Sequence, residues 1–219
     1  MTRRFRLLAV ASTFALLVCI LAAAPAAQAS RRMGWSRGVR VVLLIDRSGS
    51  MSGANLASVH AAVKLAVERL RDYDAISVIS FDASAHVEHA IGRVGARTSR
   101  RAVIAATDAI RAGGGTSVLP ALVAANAQLR RAGATTQPWA RKRTLVLLVS
   151  DGHSAYDGVL SATKALATRA VISTIGLGQQ ADSALLRKVA TAGRGRAYTT
   201  VAPNKLSTIV RKELARLGR

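Results

Sequence analysis

The chain has 219 residues, with 32 Lys and Arg against 11 Asp and Glu, a net charge of +21, and one cysteine. A single Cys19 excludes a disulfide framework and a cysteine metal site. No Gly-x-x-x-x-Gly-Lys-Ser/Thr loop and no Gly-x-Ser-x-Gly elbow occurs, which argues against nucleotide binding and serine hydrolysis.

Residues 1–29 read as a secretory signal peptide. Arg3, Arg4 and Arg6 precede an uncharged apolar run from Leu7 to Ala24, and Ala27-Gln28-Ala29 is a small-residue cleavage site that predicts a mature start at Ser30. The competing reading is a retained N-terminal anchor, because about 18 apolar residues can just span a bilayer. Cleavage leaves 29 basic residues against 11 acidic ones, a net +18. That surplus predicts salt-sensitive attraction to anionic surfaces such as wall polymers, lipid head groups, nucleic acid or acidic proteins. Genome-driven use of arginine is the bland explanation.

Residues 30–38 are a basic lead-in, and 39–219 read as one domain. Its elements follow in order. VRVVLLI (39–45) is a strand apolar on both faces, and 54–71 carry Leu56, Val59, Val63, Ala66, Val67 and Leu70 at helical spacing. AISVISF (75–81) is a second strand, and HVEHAI (86–91) a short edge strand. A helix over 98–112, capped by Thr98 or Ser99, is broken by Gly113-Gly114-Gly115. A helix spans 118–131, with Pro120 tolerated in its first turn. Then come a strand at 143–149, a helix at 157–169, a strand at 171–178, a helix at 181–192, a strand at 195–201 and a last helix from near Pro203. Strands alternating with helices predict a Rossmann-like, doubly wound α/β fold. Its sheet is mostly parallel with one short antiparallel edge strand, and helices cover both faces.

Ligands of such sheets bind outside the carboxyl ends of the strands. Three loops at that edge carry oxygen: DRSGS after the first strand, GGGTS before a helix, and SDG after VLLV. They bring Asp46, Ser48, Ser50, Thr116 and Asp151 to one rim. Hydroxyls and carboxylates suit a hard cation such as Mg²⁺, which takes oxygen ligands and keeps some water. The bland alternative is that Ser and Asp are ordinary turn and cap residues.

The pattern D-x-S-x-S, then a Thr, then an Asp resembles the metal-ion-dependent adhesion site of the von Willebrand factor type A domain. The resemblance covers about Val39 to Leu217. It implies that Ser48, Ser50 and Thr116 ligate the metal, Mg²⁺ or Mn²⁺, while Asp46 and Asp151 act largely through water. It also implies that the remaining position takes an Asp or Glu of a protein partner. With few carboxylates on it, such a cation stays electrophilic and seeks an external anion.

Other residues are weighed more briefly. In a regular strand His86 and Glu88 share a face and His89 points away, which disfavours a metal set. His153 lies beside the rim and either touches a ligand or is a solvated loop residue. Trp35 and Trp139 are not spaced as a stacking platform. If helices run from the rim to the opposite end, Arg111, Arg130 and Arg131 fall there, together with Arg141, Lys142 and Arg143. The molecule would then have two unlike poles. The expected function is a secreted or envelope-located, metal-dependent protein-binding module, and not an enzyme. The alternative is a cationic binder of anionic polymers with a structural or vestigial metal site.

Overall fold

The structure, a computed structural model, describes residues 38–95, 97–134, 143–200 and 202–217. The leader reading of residues 1–29, the basic lead-in up to residue 37, Trp35, Trp139, Arg141 and Lys142 lie outside the described residues. Along the chain run β1 (Arg40–Asp46), α1 (Ala54–Arg69), β2 (Ala75–Phe81), β3 (Ala85–Arg93), α2 (Arg97–Asp108) and α3 (Val118–Arg131). They are followed by β4 (Thr144–Ser150), α4 (Val159–Ala167), β5 (Val171–Leu177), α5 (Ser183–Ala192), β6 (Arg194–Thr200) and α6 (Leu206–Ala215).

One six-stranded sheet has the order β3-β2-β1-β4-β5-β6. All pairs are parallel except β2 with β3. This is the doubly wound α/β architecture expected from the alternation of strands and helices. The antiparallel edge strand is also present, although it is nine residues long rather than short.

β1 shows why the fold takes this form. Successive side chains point to opposite faces of a strand. Val41, Leu43 and Ile45 enter one core with α1, α2 and α6, while Val42 and Leu44 enter a second core with α3, α4 and α5. Both faces are dry, so the strand has no polar alternation. Full burial of each such side chain contributes about 1.5–3 kcal/mol. The outer strand β3 is only half-covered and alternates accordingly.

Every residue of the two cores lies between Val39 and Leu217. Residues 38–217 therefore contain what they need to bury a domain-sized core. Asp74, 2% exposed, fixes the chain's entry by accepting the Val39 N–H at 2.8 Å and the Arg71 N–H at 2.7 Å. Among the described residues no helix is long and apolar enough to cross a membrane.

Both ends of α2 differ from expectation. α2 begins at Arg97, so Thr98 and Ser99 fall in its first turn rather than at its cap. It ends at Asp108 rather than residue 112, and Ile110 N–H turns back to Thr107 O at 3.0 Å, starting the glycine loop early.

Candidate functional site

β1 and β4 are neighbours, but the chain leaves them in opposite directions across the sheet, β1 toward β2 and β4 toward β5. The crevice beyond such a reversal is where open α/β sheets bind ligands. Asp46 is the last residue of β1, and Asp151 is the first after β4.

Asp46 is fully buried. Its Oδ1 accepts the Ser48 N–H at 2.8 Å, and its Oδ2 accepts the Ser150 O–H at 2.5 Å. Burial pushes its carboxyl above the usual range; the bonds from Ser150 and Ser48 oppose this, and the charge of Asp151 adds to the rise. Above it, the Ser48 and Ser50 hydroxyls lie 3.1 Å apart. Ser50 Oγ donates to Asp151 Oδ1 at 2.8 Å, and Asn55 Nδ2 donates to Asp151 Oδ2 at 2.9 Å.

The loop after β1 is anchored by the fully buried Met51, whose N–H donates to Ser48 O at 3.0 Å. It is tied to the second loop by Gly113 N–H to Arg47 O at 2.7 Å and by Gly49 N–H to Gly114 O at 3.3 Å. Gly114 has φ +85°, and a Cβ there would stand 3.0 Å from Asp82 Cβ, so the chain passes Asp82 only as glycine. Thr116 lies against the third loop: a Cβ on Gly152 would come 3.1 Å from Thr116 Oγ1. Ser154 Oγ accepts the Val118 N–H at 3.0 Å and joins the same two loops.

All five residues expected at the rim are therefore placed at one sheet edge. Asp46, Ser48, Ser50 and Asp151 form a hydrogen-bonded set, and Thr116 packs beside Gly152. The donors are hard oxygens, with two carboxylates and three hydroxyls, which is chemistry that fits Mg²⁺ or Mn²⁺. Among the described residues no group of three or more His, Cys, Asp or Glu side chains is placed to hold a metal. Any cation here would depend on the hydroxyls.

Sequence reasoning missed Ser150 and Asn55. Ser150 adjoins Asp151, and its position at the end of a buried strand was a usable signal. Asn55, the second residue of α1, gave none, because its partner is 96 residues away.

At the rim's flank, His153 is exposed and lies 3.5 Å from Asp182. Asp182 caps α5 by accepting the Leu185 N–H at 2.9 Å and also accepts the Tyr156 O–H at 3.0 Å. In β3, His86 meets Ser84 at 3.0 Å and Asp82 at 3.6 Å, and Glu88 accepts from Ser80 at 2.5 Å. Both His86 contacts fall on Nε2, whereas a nucleophile–base–carboxylate relay needs opposite ring nitrogens. Register shifts between Ile76 and Ile79 break the strict alternation assumed for β3.

The basic residues need one correction. Arg130 and Arg131 end α3, and Arg143 precedes β4, so these three lie at the amino edge of the sheet, opposite the rim. Arg111 does not. Because β3 is antiparallel, it delivers the chain to the amino edge, and α2 runs back toward the rim. Arg111 caps the α2 exit by donating to Ile110 O at 3.1 Å, two residues before Gly113 joins the Asp46 loop.

A doubly wound α/β domain with an oxygen-rich rim at its strand-order reversal defines the class. The profile of the von Willebrand factor type A domain matches residues 41–212, and the chain belongs to that family. Among solved structures it resembles a von Willebrand factor type A protein from Catenulispora acidiphila (TM-score 0.74, 22% identity, 83% of this chain and 43% of that one). It also resembles the conserved hypothetical protein BatB from Bacteroides thetaiotaomicron (0.68, 18%, 82% and 98%). The pilus adhesin SpaC from Lactobacillus rhamnosus GG is similar too (0.66, 14%, 82% and 30%). The chain thus spans less than half of the Catenulispora protein. No curated protein matches it in sequence.

Proposed function

We propose that this chain is a protein-binding module of the cell envelope or exterior that grips its partner through a divalent cation, Mg²⁺ or Mn²⁺, at the rim. Ser48, Ser50 and Thr116 would hold the cation directly, and Asp46 and Asp151 would hold its waters. The cation supplies an electrophilic position for an Asp or Glu of the partner. The supporting observation is the hydrogen-bonded set itself: Ser50 within reach of both Ser48 and Asp151, above a fully buried Asp46. Buried anionic oxygen with few carboxylates is matched by a cation whose charge is not fully neutralised. The pilus adhesin among its structural neighbours supports a role in adhesion, and residues 1–29, read as a signal peptide, support export. We assign it no catalytic role, since among the described residues no nucleophile is set beside an oriented base at the rim.

The test is capture from envelope and secreted fractions by residues 30–219 at high salt, which suppresses non-specific charge binding. Mg²⁺, EDTA and Asp46→Ala are compared. A partner kept by Mg²⁺ and lost with EDTA and with Asp46→Ala is the expected result. Capture that appears only at low salt and ignores EDTA would instead favour the cationic polymer binder.

A further inference from the structure

The two edges of the sheet differ in charge. Six of the 11 acidic residues (Asp46, Asp82, Asp108, Asp151, Asp157 and Asp182) lie at or toward the rim. The amino edge is different. Arg71 follows α1, Arg101 sits early in α2, Arg130 and Arg131 end α3, Arg169 follows α4, and Arg194 opens β6. All but the half-exposed Arg169 are exposed.

The acids at that edge do not balance them. Asp74 is buried on backbone N–H groups, Asp72 is paired with Arg100 at 2.9 Å, and the buried Glu213 near the end of α6 is paired with Arg216, which leaves Glu68 at the end of α1. Among the described residues, Arg101, Arg130 and Arg131 make no ion pair with an acidic side chain. Cations at helix C-termini complement the dipole. That accounts for Arg130 and Arg131 but not for Arg101 in the first turns of α2, or for Arg194 at the start of a strand.

We propose that the amino edge is a docking face for an anionic phospholipid bilayer, which turns the rim of Asp46 and Asp151 outward. Two observations favour a bilayer. The arginines come from both faces of a sheet whose six strands are about 24 Å across, so they form a broad plane rather than a stripe. Tyr73 stands among them, 40% exposed, with the Arg71 guanidinium 5.9 Å from its ring. Tyrosine and arginine suit the head-group zone. The proposal does not depend on the metal reading.

The test is sedimentation of residues 30–219 with extruded vesicles, in EDTA throughout. Vesicles of phosphatidylcholine alone are compared with vesicles containing phosphatidylglycerol, at about 0.1 M and 0.5 M salt. Retention is expected only on the anionic vesicles, falling at least ~10-fold at the higher salt. A triple variant Arg71→Glu, Arg130→Glu, Arg131→Glu should lose at least ~10-fold in partitioning, since each basic residue near the surface is worth about five-fold. The charge-matched triple Arg111→Glu, Lys188→Glu, Lys205→Glu, away from that edge, should stay within about three-fold of the parent. Circular dichroism checks folding, and the milder pair Arg130→Ala, Arg131→Ala stands in if the first triple unfolds. Equal losses in both triples would reduce the effect to net charge and overturn the proposal. So would retention of a polyphosphate chain without retention on vesicles, which would assign the face to a soluble phosphodiester polymer.

Discussion

The Ser150 hydroxyl donates to the buried Asp46 carboxylate at 2.5 Å, across 104 residues of chain. It is the bond that joins the carboxyl ends of β1 and β4, the two strands flanking the reversal. Ser150→Ala leaves the buried carboxylate short of one donor. The expected cost is about 1–3 kcal/mol, read as a lower urea midpoint with an unchanged slope.

Burial holds the Asp46 pKa above its unfolded value. The sign follows from that direction: this group's contribution to stability is fully present below the unfolded value, about pH 4, and is lost as pH rises through the folded one. Asp46→Asn removes that loss. In EDTA at pH 7 the variant is expected to unfold at a higher urea concentration than the parent. In Mg²⁺ the order should reverse, because the parent gains about 1.4 kcal/mol at ten times the Kd and the variant gains little. A variant that Mg²⁺ stabilises as much as the parent would count against the proposed site.

Asn55 donates to the Asp151 oxygen that Ser50 does not use. Asn55→Asp replaces that donor with a second negative charge. The prediction is a loss of about 1 kcal/mol in EDTA and a larger Mg²⁺-dependent rise in Tm than in the parent. Partner capture should weaken at the same time, because an added carboxylate makes the cation less electrophilic. Thermal scans with and without chelator, paired with the capture assay, check both halves.

Gly152 has ordinary backbone angles, so an added methyl is resisted only by Thr116, 3.1 Å away. Gly152→Ala should change stability by less than about 1 kcal/mol. It should displace the Thr116 hydroxyl and lower metal-dependent capture by about ten-fold or more. Unchanged capture would argue against a ligand role for Thr116.

Asp182 is held below the usual carboxylate range. Burial alone would raise it, but the Leu185 N–H, the Tyr156 O–H and His153 outweigh burial. Its stabilising contribution is therefore present above about pH 4 and is lost as pH falls through the depressed value. Asp182→Ala should cost about 1 kcal/mol at pH 7. The gap to the parent should close toward pH 2, as a series of urea titrations across pH would show.

The sequence by itself determined the layers and the rim. Short β-branched and leucine runs such as VVLLI and LVLLV, alternating with amphipathic helices, suit strands covered on both faces, and their carboxyl ends lead into Asp46 and into Ser150-Asp151. Spacing along one chain was enough to gather Ser48 and Ser50 with Asp46, because three alternate residues of one turn cannot separate far. The tertiary structure decided what depends on approach between distant segments. Asn55 and Ser150 look like ordinary helix and strand-end residues until Asp151 and Asp46 are brought against them. The direction of α2 was likewise invisible locally: its residues form the same helix either way, and only the antiparallel pairing of β3 on β2 starts it at the amino edge. That pairing carries Arg111 to the rim, while Arg130 and Arg131 stay on the opposite side. Local periodicity fixes which face of an element is buried, whereas long-range pairing fixes which end of it points where.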